Sequence, residues 1–278
     1  MLNKLNQLNR VGFGGHRIVE RYGNMPATFS IPAEFADTGE KRINFSEPVT
    51  LTITGDVTLS IGGTPYLSGE TIPVAASSYH TLIINNTGAD AGTITFGKRK
   101  QITYLYIANL GSSVITGDIR GMKLTYLYLS AINQSVIIGD ITGMKLTYLL
   151  LAGLGSSVIT GDITGMDLTA LYLSGLGSSL TYGTNLLNIT SNNGIQLLAS
   201  TVFSASEYIR LFADAAACVT AGKWTATTKV MTISGGDNPG WSNVEEYYAT
   251  IVGGGVTVKV PLAWESGDDA FPSETLNP

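Results

Sequence analysis

The sequence predicts an α/β and β repeat protein: a solenoid of 22-residue repeats with a parallel sheet, preceded by a small β-module and closed by an α/β C-terminal cap. Three observations carry this expectation. Residues 101–122 (QITYLYIANLGSSVITGDIRGM), 123–144 (KLTYLYLSAINQSVIIGDITGM) and 145–166 (KLTYLLLAGLGSSVITGDITGM) repeat without insertion, and 167–188 repeat in part. Residues 45–77 alternate apolar and polar side chains, the pattern of short half-buried strands. After residue 200 a helical period returns between strand-like runs.

Composition narrows the class. With 278 residues, 44% of them hydrophobic, the chain has material for a substantial core. Only 13% are charged, against about 25% in ordinary globular domains, so glycine, threonine, serine and asparagine cover the surface. A net charge of −5 argues against a nucleic-acid partner, which would require a basic surface. The single cysteine, Cys218, excludes an internal disulfide framework and an all-cysteine metal site. No apolar run reaches the length of a membrane span. The opening MLNKLNQLNRVGFGG has neither an apolar core nor a small-residue cleavage site, so synthesis in a cytoplasm without signal-peptide secretion is expected.

The elements follow in order. Residues 1–44 read as an arm for docking or oligomerisation, with Leu2, Leu5 and Leu8 forming a helical stripe and 24–32 extended. In the β-module, 45–78, Leu51 and Ile53 and then Val57, Leu59 and Ile61 fit two strands around a Gly55-Asp56 turn. The solenoid spans 79–190, with 80–98 (HTLIINNTGADAGTITFGK) as a degenerate earlier coil. Its core columns are Ile102/Leu124/Leu146/Leu168, Leu105/Leu127/Leu149/Leu171 and Ile107/Leu129/Leu151/Leu173. Residues two apart in a strand share a face, and one repeat cannot bury that face alone, so stacked coils are expected. Gly117, Gly121 and their copies Gly139, Gly143, Gly161 and Gly165 mark turns to the next strand.

The cap spans 191–261. Ser204-Ala205-Ser206-Glu207 has a helix-capping signature, and Ile209, Phe212, Ala216 and Val219 form a stripe ending at Gly222. Residues 229–238 read as strand and turn, 242–255 as a helix capped by Ser242, and 256–260 as a strand. A strand–helix–strand unit places its strands parallel, so these elements extend the repeat sheet and cover its open end. The acidic tail, 262–278, with Glu265, Asp268 and Asp269, is expected to be solvated or partner-bound.

The spacing L-x-x-L-x-L at a period of 22 resembles the leucine-rich repeat, and ITGDI (115–119 and 159–163) resembles the L-x-G-x-I segment of the plant-type subclass. That family places Asn three positions after the last strand leucine. This sequence has Leu110, Ile132, Leu154 and Leu176 there, so its corner is apolar, and a more regular parallel β-helix stays open as the alternative.

Little in the sequence suggests catalysis. His16 and His80 are the only histidines, and Cys218 lies in an alanine-rich stripe as a core residue would. GFGGH (12–16) lacks the Lys-Ser/Thr ending of a phosphate loop, and SGDDAF (266–271) reads as a solvated acid pair. Asp118, Asp140 and Asp162 recur once per coil, roughly 5 Å apart if strand spacing sets their distance. Turn hydrogen bonds explain them better than a calcium-like cation, so no cofactor or metal is expected.

A second set of columns faces away from the core. It holds Thr103/Thr125/Thr147/Thr169, Tyr104/Tyr126/Tyr148/Ala170 and Tyr106/Tyr128/Leu150/Tyr172. Six tyrosines and four threonines on one nearly uncharged sheet face point to a contact surface. The combination of arm, β-module, repeat shaft and cap resembles a bacteriophage tail-fibre or head-fibre protein. That resemblance implies a non-enzymatic virion protein, made in the host cytoplasm. Its expected partners are other virion proteins, copies of itself, and a host-surface glycan or protein, without nucleic acid or membrane insertion. The competing readings are a bacterial leucine-rich-repeat surface adhesin and, last, a polysaccharide-active solenoid enzyme, which would need clustered acids.

Overall fold

The computed structural model describes residues 21–111, 114–176, 179–192, 194–199, 201, 203–266 and 269–272. The Leu2/Leu5/Leu8 stripe, GFGGH with His16, and Asp268 lie outside them. The chain divides into two compact units, residues 1–144 with 153–161 and residues 145–152 with 162–278.

The strands are β1 (Pro26–Ile31), β2 (Glu40–Phe45), β3 (Val49–Thr54), β4 (Val57–Ile61), β5 (Thr64–Tyr66), β6 (Thr71–Ile72) and β7 (His80–Asn86). There follow β8 (Gly92–Lys98), β9 (Ile102–Ala108), β10 (Thr116–Asp118), β11 (Tyr126–Ser130), β12 (Val136–Asp140), β13 (Tyr148–Ala152) and β14 (Val158–Asp162). The remainder are β15 (Asp167–Leu168), β16 (Ala170–Ser174), β17 (Leu180–Thr181), β18 (Leu186–Leu187), β19 (Ile195–Leu198), β20 (Val230–Ile233) and β21 (Thr257–Lys259). Two helices, α1 (Ala205–Thr220) and α2 (Trp241–Gly253), separate the last of these.

In the first unit one sheet runs β11-β9-β2-β7-β4-β5 and the other β14-β12-β10-β1-β8-β3-β6. The 22-residue period becomes geometry in β9 and β11, which pair in parallel with Leu105 opposite Leu127 and Ile107 opposite Leu129. These four side chains are buried, as are Ile102 and Leu124 before them. The chain thus forms a β-solenoid whose coils bury the columns the sequence offers. Phe29, Phe45 and Phe96 continue the core among the earlier strands, with Phe96 6.2 Å from Phe29 and 5.8 Å from Phe45 between ring centroids.

The segment before the repeats departs from the expected coil. β7 is antiparallel to β2 and β4, and β8 is antiparallel to β1 and β3. β2 lies antiparallel along β9 and occupies the edge that an earlier parallel coil would need. Both strands within residues 26–45 are therefore sheet members. The Gly55-Asp56 turn does link two strands, but they do not form a hairpin: β3 pairs with β8 and β6, and β4 with β7 and β5. The turn passes the chain from one sheet to the other. Gly117 and Gly139 are likewise strand residues, not turns; a Cβ would come within 2.6 Å of the Phe29 ring in one case and of Ile119 in the other.

Each coil leaves its strand through a left-handed residue, at φ 56° for Asn109, 50° for Ala131 and 58° for Gly153. An alanine pays for this conformation through the clash of its Cβ with the following carbonyl. Ala131→Gly is therefore expected to raise stability by about 1 kcal/mol, read as a higher urea midpoint at unchanged m-value. A lower midpoint would show that the Ala131 methyl packs more than it strains.

In the second unit β13, β16, β19, β20 and β21 are consecutive parallel strands. Leu149, Leu151, Leu171 and Leu173 are buried along the first two. The later strands add to the repeat sheet, and α2 links two parallel neighbours. α1 begins with the capping box of Ser204 and Glu207. Its inner face is set by Tyr208, Leu211, Phe212, Ala215, Ala216 and Cys218, shifted from the expected stripe.

Ser242 does not cap α2, whose N-cap is Gly240 at φ 81°. Instead the Ser242 amide and hydroxyl donate to Asp269 at 2.8 and 2.7 Å. This negative charge at the first turn suits the helix dipole. The tail also differs from a solvated segment as far as residue 272. Trp264 and Phe271 are 1% and 2% exposed, pack ring to ring at 5.1 Å, and join Tyr208 and Trp241. Two aromatic anchors outweigh the acids around them. Among the described residues no helix is long and apolar enough to cross a membrane.

Candidate binding face

Tyr104 and Tyr106 on β9, and Tyr126 and Tyr128 on β11, alternate with the buried leucines and so point outward. The parallel register sets like beside like. Tyr104 and Tyr126 stack with centroids 4.2 Å apart and planes 11° apart, and Tyr106 and Tyr128 at 4.1 Å and 18°. Tyr79, just before β7, extends the first row at 5.4 Å from Tyr104.

β2 supplies a cation. Arg42 lies opposite Tyr106, and its guanidinium sits 4.8 Å from the Tyr106 centroid and 4.7 Å from that of Tyr79. Glu40 pairs with it at 2.9 Å. Five rings and one guanidinium thus form a continuous aromatic surface. Stacking contributes about 0.5–1.5 kcal/mol per ring pair and each cation–π contact about 0.5–1 kcal/mol.

Stacking also changes what this surface offers. The four repeat tyrosines are half-buried, because each ring face lies on its neighbour. What the stacked faces leave open includes ring edge and phenolic hydroxyl. Burial pushes the Tyr104 hydroxyl upward, against the opposing pull of its bond with Tyr126 and of Arg42. Burial, reinforced by Tyr128 and Glu40, pushes Tyr106 further. Both stay neutral and keep their O–H donors throughout the physiological range.

In the second unit, Tyr148 lies opposite Ala170 and Tyr172 opposite Leu150, so β13 and β16 do not repeat this ring-on-ring pairing between themselves. The threonines tie coils together. Thr125 Oγ1 donates to the Thr103 carbonyl at 3.2 Å, and Thr169 Oγ1 to the Thr147 carbonyl at 2.8 Å.

The aspartate column is not a ladder. β10 and β12 pair with Asp118 opposite Ile138, and β12 and β14 with Asp140 opposite Thr160. Successive aspartates are therefore displaced by two residues along the strand, about 7 Å, which relieves the expected repulsion. Each carboxylate accepts the amide two residues on: Arg120 to Asp118 at 2.9 Å, Thr142 to Asp140 at 3.0 Å, and Thr164 to Asp162 at 2.7 Å. Asp118 also binds Arg99 and Arg120 at 2.9 and 2.6 Å. Burial raises its pKa, but these bonds and charges outweigh it and hold the carboxyl below the usual range.

No family model, curated protein or solved structure matches this chain. Function must therefore be read from the geometry. Cys218 is buried, and burial pushes its thiol upward, as for a core residue. His80 bonds the Pro73 carbonyl at 2.9 Å. The second unit does bring two acids to one open cleft, Asp162 and Glu207, beside Thr181 and Arg210. Glu207 is already held by the Tyr182 amide at 2.7 Å and by Ser204. Among the described residues no three His, Cys, Asp or Glu side chains group as metal ligands would.

Sequence reasoning missed Tyr79 and Arg42. Arg42 is placed by β2 lying antiparallel beside β9, a pairing that sets it opposite Tyr106, 64 positions on. The one local signal is the alternation in EKRINF, which puts Arg42 on the outer face.

Proposed function

We propose that this protein is a non-enzymatic structural and binding protein that acts through its tyrosine face, and that it serves as a fibre component of a bacteriophage particle. The observation that carries the binding role is the doubled tyrosine row of the first unit, extended by Tyr79 and Arg42. A rigid, nearly uncharged aromatic surface with a rank of hydroxyl donors suits association with another protein surface or with sugar hydroxyls. Ring faces consumed by stacking favour edge and hydroxyl contacts over flat stacking on a sugar. The fibre role is supported by architecture: an antiparallel sandwich, repeated coils, and a helical end proposed to close the sheet. The coils are proposed to be leucine-rich-repeat-like on their L-x-x-L-x-L core columns.

The test is Tyr126→Ala/Tyr128→Ala, which removes the β11 half of both rows. It is expected to weaken binding to host cells or immobilised glycans, or self-association in sedimentation, at least tenfold. Loss of two ring pairs should cost about 1–3 kcal/mol of stability, leaving the protein folded at 25 °C. Binding and self-association equal to wild type would remove the face from consideration.

A further inference from the structure

A second feature lies apart from the tyrosine rows. Six of the chain's sixteen cationic side chains, Arg21, Lys98, Arg99, Lys100, Arg120 and Lys123, collect at one corner of the first unit in a protein of net charge −5. The backbone forces them together. The amides of Arg99 and Lys100 donate to the carbonyls of Met25 and Gly23 at 2.9 Å each, and the Lys123 amide to that of Ile102 at 3.2 Å. The Arg99 guanidinium reaches the Arg120 carbonyl at 3.4 Å. Three guanidinium groups surround the Tyr22 ring, with Arg120, Arg21 and Arg99 at 4.7, 5.2 and 6.0 Å from its centroid.

The acids nearby do not balance them. Asp118 is shared between Arg99 and Arg120, and Asp140 acts on Arg120. Glu47 follows Ser46, whose amide bonds the Gln101 carbonyl at 2.8 Å. Among the described residues no ion pair reaches Lys98, Lys100 or Lys123; Lys98 and Lys123 are exposed and Lys100 is half-buried. Arg99, 8% exposed, anchors the cluster from beneath.

We propose that this corner is a binding site for an anionic polysaccharide, one that carries carboxylate or phosphate groups between neutral sugars. Three lysines without ion pairs among the described residues, on backbone that these hydrogen bonds draw together beside the arginines, give this corner a positive charge that fits a few spaced anionic groups. The rest of the surface is net negative and repels a long, densely charged duplex. Tyr22, the ring at the centre, is half-buried and engaged by the three guanidinium groups, which compete with a nucleobase for its faces.

The test is titration of the full chain with oligogalacturonate, poly(glycerol phosphate), a neutral dextran and a 20-bp DNA duplex at 20 to 200 mM salt. Wild type is expected to bind one or both anionic polymers, more weakly as salt rises, and dextran not at all. The carboxylate and phosphate arms identify which group is preferred. Lys98→Gln/Lys100→Gln/Lys123→Gln is expected to bind at least tenfold more weakly with a shallower salt dependence. The single Lys123→Gln variant should show a smaller loss of the same kind, and Lys223→Gln/Lys259→Gln should bind as wild type. Equal binding by the triple variant, no binding to either polymer, or tighter binding to the duplex would each overturn the proposal.

Discussion

Gly155→Ala is expected to destabilise the first unit by about 4 kcal/mol, among the largest effects of any single methyl in this chain. Gly155 has φ +58°, and a Cβ there would lie 1.7 Å from the carbonyl oxygen of Asn133 and 2.4 Å from its carbon. The obstacle is backbone of the coil before it, so no rotamer change can relieve the contact. Gly111 occupies the same position of its own repeat at φ +60°, but a Cβ there meets nothing within 4 Å. Gly111→Ala should therefore cost only the left-handed term, about 1–2 kcal/mol. Urea unfolding of the two variants measures the difference directly through their midpoints. Equal losses would mean that the turns at 133 and 155 are not stacked as the structure has them.

That pair of glycines shows what a repeat sequence reveals and what it withholds. Gly111 and Gly155 share a left-handed conformation that Asn133, at the same repeat position, does not adopt, whereas the leucine columns were legible because β9 and β11 pair at an offset of 22, which equals the period. The other sheet pairs at an offset of 20, with Ile138 opposite Val158. There the recurrence of Asp118 and Asp140 does not translate into adjacency, and no local pattern announces a two-residue shear. The tyrosine rows were legible for the same reason as the leucines, since they alternate with them on the same strands. Arg42 and Tyr79 were not, because an antiparallel strand from outside the repeats places Arg42 there. The tail was misread through its charge, whereas Trp264 and Phe271 carry the apolar area that decides its position.

Asp37→Ala is expected to cost about 3–5 kcal/mol through a residue that the alternation of β2 does not favour. In EKRINF the inward positions are Lys41, Ile43 and Phe45, and Lys41 is 2% exposed. Its ammonium is ion-paired with Asp37 and donates to the Thr38 carbonyl at 2.9 Å. Asp37 also accepts the Ile84 amide at 3.2 Å, so the pair fastens the loop before β2 to β7. Removing the carboxylate leaves an ammonium with one neutral acceptor in an apolar sheet interior, and desolvation then outweighs what remains. Lys41→Met should cost less, about 1–3 kcal/mol, because the partly exposed Asp37 keeps its amide donor and reaches water. The double variant Asp37→Ala/Lys41→Met should be more stable than Asp37→Ala alone, since it no longer buries an unpaired charge. Denaturation of all three at neutral pH fixes the coupling energy. If Asp37→Ala proves no worse than Lys41→Met, the ammonium escapes to solvent when unpaired and β2 is not held from within.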